Sequence, residues 1–310
     1  VEKEFPAVKK AGLKGGVLYY DGQFDDARLA ITLAKSALYH GATVINYMKA
    51  TSFVKEKGKI CGVHLQDVLS GETFCIKTSF VINATGAFSD TLRSKDRKTA
   101  KKMIAPSQGV HLVLPLSFMP SKTALLIPHT EDGRVVFFVP WKEHLLIGTT
   151  DTQVHKPLLE PKAQEEEIDF LLKQAEHYLK KAPQKEDILS LFTGIRPLVK
   201  DPSKKKSSAL SRDHLIMISS SNLITVTGGK WTTYRQMAED AVDTLLSLGK
   251  WGERSCVTKN LPLWATDPSI HPLEPLSAYG KERETIYQLM KKEKKGKEKI
   301  HPSLPYTWAE

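Results

Sequence analysis

Apolar residues recur at helical spacing within residues 21–40, DGQFDDARLAITLAKSALYH. Ala30, Leu33, Ala34, Ala37 and Leu38 fall at i, i+3, i+4, i+7 and i+8 and form one face. Asp25 or Asp26 can cap this helix, and Gly41 is a natural stop. The pattern then changes to period two. ATVINY (42–47) reads as a strand, and alternating segments around Gly58 and around residues 70–72 read as a β-meander that ends in SFVINATGAFSD. GVHLVLPL, TALLIPH, RVVFFVPW and HLLIGTTD are short strands divided by turn signals such as Asp132-Gly133, which predicts an antiparallel sheet. Residues 163–181 return to helical spacing, with Ile168, Leu171, Leu172, Ala175 and Leu179 as the stripe. ILSLFTGIRPLV and DHLIMIS resume the sheet, and NLITVTGG leads into a helix from Thr232 to about Leu248. The outer pieces read as one α/β layer and the middle as an insertion.

Composition narrows the class. The 310 residues are 41% hydrophobic and 26% charged, which fits one large globular domain or two smaller ones. A formal charge of +10 suggests an acidic partner: nucleic acid, anionic lipid or a phosphorylated substrate. Three cysteines, Cys61, Cys75 and Cys256, argue against a disulfide framework and for a reducing compartment. They lack zinc-type spacing with the histidines, so no metal site is expected. No run of about 18 apolar residues offers a membrane span. The chain opens without Met and ends on PYTWAE, which suggests a piece of a longer polypeptide. The lysine run 291–299 reads as a solvated stretch or mobile linker. The other reading is an anionic-lipid or nucleic-acid surface, and the lack of aromatic residues in the run weakens the nucleic-acid case.

Several stretches carry chemistry in more than one way. In VTGGKWTTYR (226–235), Gly228 and Gly229 permit positive φ and close approach, and the helix start presents free N–H groups. With Lys230, that turn suits a phosphate or the pyrimidine edge of a flavin, or it is a plain strand-to-helix turn with a surface lysine. Arg196, in TGIRPLV, has apolar neighbours and needs an acidic partner or ligand. Arg212, in SRDH, matches phosphate oxygens, or pairs locally with Asp213 or Asp201. His111, in QGVHLVLP, faces away from Val110 and Leu112; its imidazole is a usable base near neutrality or a satisfied structural histidine. GTTD (148–151) is a turn or part of a pocket wall. Gly86, in Ala-Thr-Gly, brings bare backbone close to something.

GGVLYYDGQFDDARL, VINATGAFSD, PSQGVHLVLP, GRVVFFVPW, IGTTDT, GIRPLV, SRDH and GGKWTTYRQMAEDA occur in this order. From about residue 12 to about 250, the series resembles the FAD-dependent glycerol-3-phosphate dehydrogenases, especially the mitochondrial type. The resemblance implies a mixed α/β fold of the glutathione-reductase/D-amino-acid-oxidase class. Residues 1–95 and 213–250 would form the FAD-binding Rossmann-like part and 96–212 the inserted antiparallel substrate sheet. Residues 251–310 would be a linker and the start of a helical domain.

The resemblance also implies oxidation of sn-glycerol 3-phosphate to dihydroxyacetone phosphate, with a hydride passing from C2 to flavin N5 and electrons going on to quinone. His111 matches the proposed base, and Arg196 and Arg212 match arginines that hold the substrate. Lys230 with Gly229, Trp231 and Thr232 matches the segment under the flavin. Ala84, Thr85 and Gly86 match a segment lining the cofactor, and Ala50 a strand end near the adenine. Peripheral contact with the mitochondrial inner membrane, or with the cytoplasmic face of a bacterial membrane, and a possible homodimer follow in the same way. Nucleic acid is not an implied partner. The family's GxGxxG turn is missing; only GLKGG lies near the start. The alternatives are an oxidase that uses oxygen, or a non-catalytic basic phosphate-binding relative.

Overall fold

The computed structural model describes residues 1–128, 130, 133–200, 213–272, 274–302 and 304–310. The chain forms two compact units, one of Val1–Leu18 and Tyr47–Arg254, the other of Tyr19–Asn46 and Ser255–Glu310.

Three sheets build the first unit. The expected meander is β1 (Met48–Glu56), β2 (Lys59–Asp67) and β3 (Thr73–Lys77), all antiparallel. Lys57 and Gly58 turn the first hairpin with φ of +48° and +76°, the positive pair that a tight two-residue loop requires. The second sheet has the order β11–β12–β4, from β11 (His214–Ile218), β12 (Leu223–Gly228) and β4 (Val81–Asn83). Here β4 and β12 run parallel, with Thr225 beside Asn83. Each continues through a one-turn 3₁₀ segment into a helix. Gly86–Phe88 leads to α2 (Ser89–Asp96), and Trp231–Thr233 leads to α4 (Tyr234–Gly249).

The third sheet is antiparallel, ordered β10–β5–β8–β7–β6 from β5 (Ile104–Pro115), β6 (Leu125–Ile127), β7 (Val136–Trp141), β8 (His144–Gly148) and β10 (Ser190–Val199). The short β9 (Thr152–Gln153) joins the start of β5. Its core face alternates along each strand, as period two demands. Val110, Leu112 and Leu114 of β5 lie with Phe138 and Ile147 under helix α3 (Glu165–Tyr178). The α3 stripe is the one its spacing predicts, since Ile168, Leu171, Ala175 and Leu179 are buried there. Each fully buried side chain of this size contributes about 1.5–3 kcal/mol. Gln164 caps the helix, and its N–H donates to Glu167 Oε2 at 3.0 Å in a capping box. Strand β10 also reaches β12 and the Gly86–Phe88 turn, so the antiparallel sheet abuts the parallel pair.

In the second unit, α1 (Asp26–Tyr39) is capped by Asp25, whose carboxylate accepts the Arg28 N–H at 3.0 Å. Gly41 follows with φ +86°. Its contacts differ from the predicted stripe. Ala30 and Leu38 are exposed. Instead Lys35 pairs with Glu282, Ser36 Oγ accepts the Trp264 N–H at 2.8 Å, and the Arg28 guanidinium lies 4.3 Å from the Tyr279 ring centre. Apolar periodicity identifies a helix, but the neighbouring side chains decide which face is engaged.

Residues 42–47 form no strand. Val44 and Ile45 are exposed, and Tyr47 has φ +57°. A β-prone run becomes a strand only with a pairing partner, and among the described residues the long-range bond that reaches it, from the Val68 N–H to the Tyr47 carbonyl at 2.9 Å, does not extend into a ladder. The lysine run begins in α5 (Arg283–Lys292) and turns back tightly at Gly296, with the lysines exposed. Asp132 of the expected Asp132-Gly133 turn lies outside the described residues.

Candidate active site

The face of the large sheet opposite α3 carries His111 and Arg196. Directly opposed residues of neighbouring strands share a face. Phe192 of β10, His111 of β5 and Gly148 of β8 form one row across three strands, and Phe137 of β7 continues it. Two residues along, Gly194 opposes Gly109; two further, Arg196 opposes Ser107. The middle row therefore has no side chains. At Gly194 the backbone is exposed, while at Gly109 it is buried under the Arg196 guanidinium, and the row forms the floor of a trough between the His111 imidazole and Arg196.

Both ends depend on glycine. A Cβ on Gly109 would stand 2.6 Å from Arg196 Nη1 and 2.7 Å from Thr149 Oγ1, so the guanidinium lies back over the glycine towards His111. A Cβ on Gly148 would stand 2.6 Å from His111 Nε2. The imidazole stacks on Phe192, with ring centres 4.8 Å apart and planes at 7°. Arg196 is oriented by the residues after β8. Nη2 donates to Thr149 Oγ1 at 2.9 Å and Nη1 to the Thr150 carbonyl at 3.1 Å. Burial, helped by the Arg196 charge, lowers the His111 pKa to about 4, so the imidazole is neutral at pH 7.

A second constellation lies at the carboxyl ends of β4 and β12, where ligands bind in open α/β sheets. Asn83 is buried there. Its amide donates to the Ser89 carbonyl at 3.0 Å and to Thr225 Oγ1 at 3.3 Å, and its oxygen accepts the Thr85 hydroxyl at 2.7 Å. Ala84 and Thr85 are exposed. Gly86 has φ +54°, and no described atom lies within 4 Å of where its Cβ would stand. Across from them, Gly228 and Gly229 turn with φ of +76° and +68°. A Cβ on Gly228 would stand 2.7 Å from the Asp213 carbonyl, and one on Gly229 would stand 2.5 Å from Met237 Sδ. Lys230, Trp231 and Thr232 follow, all exposed. Thr227 Oγ1, just before this turn, is the one buried side-chain polar atom without a hydrogen-bond partner among the described residues.

Thus His111 and Arg196 converge in one trough. The segments 84–86 and 228–232 lie together at the parallel pair, and β10 connects the two regions: Val199 lies against Gly228, 3.1 Å from its would-be Cβ. Ala50 is on β1 of the meander, a separate sheet. Arg212 lies outside the described residues. Sequence reasoning singled out neither Gly109 and Gly194 nor Asn83. Their signals are small or polar residues inside otherwise β-like runs.

The profile of the family described as FAD dependent oxidoreductase matches residues 1–235. The chain belongs to this family. The chain is 38% identical to a probable mitochondrial glycerol-3-phosphate dehydrogenase of Caenorhabditis elegans, over 99% of this chain and 46% of that protein. It is 42% identical to the mitochondrial glycerol-3-phosphate dehydrogenase of Bos taurus, over 78% of this chain and 34% of that protein. It also superposes on the X-ray structure of the glycerol-3-phosphate dehydrogenase from Bacillus halodurans complexed with FAD. That match has a TM-score of 0.78 and 33% identity, and covers 94% of this chain and 55% of that one. The chain thus has the expected fold class, and it spans less than half the length of the two curated relatives. No helix among the described residues is long and apolar enough to cross a membrane.

Proposed function

We propose that this chain supplies the substrate trough and part of the cofactor site of an enzyme that oxidises sn-glycerol 3-phosphate to dihydroxyacetone phosphate with FAD. The observation that carries this reading is the pairing of a neutral imidazole and an arginine over a glycine floor, on a strand pair that abuts the β4–β12 turns. The glycerol-3-phosphate dehydrogenases among its relatives agree with that chemistry.

The residues of the second constellation fit a flavin. Their glycine turns allow close approach, and among the described residues the Thr227 hydroxyl has no hydrogen-bond partner. Ala84, Thr85, Gly86, Gly229, Lys230, Trp231 and Thr232 would hold the cofactor beside Thr227, and Ala50 is assigned to its adenine end. FAD, when bound, supplies the two-electron acceptor. Arg196 binds the phosphate dianion as a fixed fork. His111, uncharged, accepts the proton of the C2 hydroxyl. The bound dianion offsets the Arg196 charge beside the imidazole and so raises its basicity when substrate is present. Arg212 is assigned to the same phosphate.

Residues 1–95 and 213–250 are read as the cofactor part, 96–212 as the substrate part, and 251–310 as a linker and further helical segment. Quinone is the proposed acceptor, with peripheral contact at the mitochondrial inner membrane, and a homodimer is the proposed assembly. The test is anaerobic: full-length protein should be yellow and bleach on addition of glycerol 3-phosphate. A colourless protein with salt-sensitive phosphate affinity would overturn the reading.

A further inference from the structure

The anchor of Arg196 continues through the sheet to the buried side. The Thr150 carbonyl holds Nη1 of Arg196 on the trough face, while the Thr150 side chain turns the other way. Thr150 Oγ1 accepts the Val110 N–H at 3.0 Å and donates to Glu167 Oε1 at 2.9 Å. Glu167 is 4% exposed in the first turn of α3. Its other oxygen accepts from Gln108 Nε2 at 2.7 Å and from the Gln164 N–H at 3.0 Å. Gln108 lies between Ser107 and Gly109, the residues opposite Arg196 and under its guanidinium. A carboxylate fixed at both oxygens thus clamps the Thr149-Thr150 segment to β5 from behind.

We propose that Glu167 is a positioning residue for substrate binding, setting the orientation of Arg196 through Thr150. The proposal rests on the reading of Arg196 as the phosphate anchor. A helix-capping glutamate needs only its bond to the Gln164 N–H. The further bonds to Thr150 and Gln108 lie under the trough and assign the residue a second task. Burial pushes the Glu167 carboxyl up, but the hydrogen bonds from Gln164, Thr152, Gln108 and Thr150 outweigh it, so the group stays ionised and accepts at both oxygens.

The test is Glu167→Gln in the full-length holoenzyme, alone and combined with Arg196→Ala. An amide keeps the shape but presents only one accepting atom. The ratio of kcat/KM for glycerol 3-phosphate to that for glycerol should fall about 10-fold, through KM, with kcat for glycerol unchanged. This corresponds to loss of about one charge-assisted hydrogen bond. In the Arg196→Ala background the same substitution should leave the ratio unchanged. A ratio unmoved by Glu167→Gln, or an equal loss with both substrates, overturns the proposal. If Arg196→Ala itself leaves the ratio unchanged, the reading of Arg196 fails instead, and the proposal with it. Should Glu167→Gln not fold, Thr150→Val against Thr150→Ser decides: the valine must lower the ratio and the serine restore it, and equal ratios contradict the clamp.

Discussion

A Cβ on Gly148 would stand 2.6 Å from Nε2 of His111, so the imidazole lies in space that the glycine leaves clear. The two residues are directly opposed on β8 and β5, which leaves the ring little freedom to swing aside while it is stacked on Phe192. Gly148→Ala should therefore move the imidazole and cost about 1–3 kcal/mol, the usual penalty of overpacking. Urea denaturation and substrate-driven flavin bleaching measure the two effects. Wild-type values in both would show that His111 is not held there.

Gly194 makes the opposite case. It shares the trough floor with Gly109, but a Cβ on it meets no described atom within 4 Å. Gly194→Ala should fold with wild-type stability and place a methyl group in the proposed substrate trough. KM for glycerol 3-phosphate should rise about 10-fold, as expected for a clash of 1–3 kcal/mol. Steady-state kinetics beside a thermal melt checks this, and an unchanged KM would remove the floor from the site.

Protonation offers an independent handle. The His111 pKa is lowered from 6.5 to about 4, first by burial and then by the charge of Arg196. Between those values the unfolded chain binds a proton that the folded protein refuses. This contribution to stability falls as pH drops from 6.5, and the loss is complete below about 4. In the free enzyme, the acid limb of kcat/KM that belongs to His111 should lie near 4. Arg196→Ala should shift it upward by part of the way to 6.5, since burial remains. A limb that stays in place in the variant would show that the two groups are not coupled.

Thr227 links stability to the cofactor. A buried hydroxyl without a partner costs about 1–3 kcal/mol. Thr227→Val should therefore stabilise the flavin-free protein and weaken flavin retention. Melting of apoprotein and the flavin absorbance retained after gel filtration read the two separately. Apoprotein destabilised by valine would contradict the assignment.

Much of this architecture is legible in the sequence because its signals are local. The α3 stripe from Ile168 to Leu179, the period-two strand around His111 and the paired glycines 228 and 229 each state their conformation within a few residues. The trough is not local. Gly109 and Gly194 are separated by 85 positions in the chain and meet only through the β5–β10 register. Glu167 reads as one of three first-turn acids of a helix, and its bonds to Gln108 and Thr150 depend on how α3 lies on the sheet. The strand expected at 42–47 fails for the same reason in reverse, because propensity there meets no partner. The roles proposed for His111 and Arg196 rest on motif likeness; what the structure adds is that one face of two adjacent strands carries both.

The central claim is that these two side chains act on one substrate molecule, and the reductive half-reaction of the full-length holoenzyme tests it directly. Under anaerobic stopped flow with glycerol 3-phosphate, His111→Ala should slow flavin bleaching by about 100-fold or more at nearly unchanged substrate affinity. Arg196→Ala should weaken affinity by about 10-fold or more. Wild-type bleaching rates in His111→Ala, or wild-type affinity in Arg196→Ala, would contradict the account.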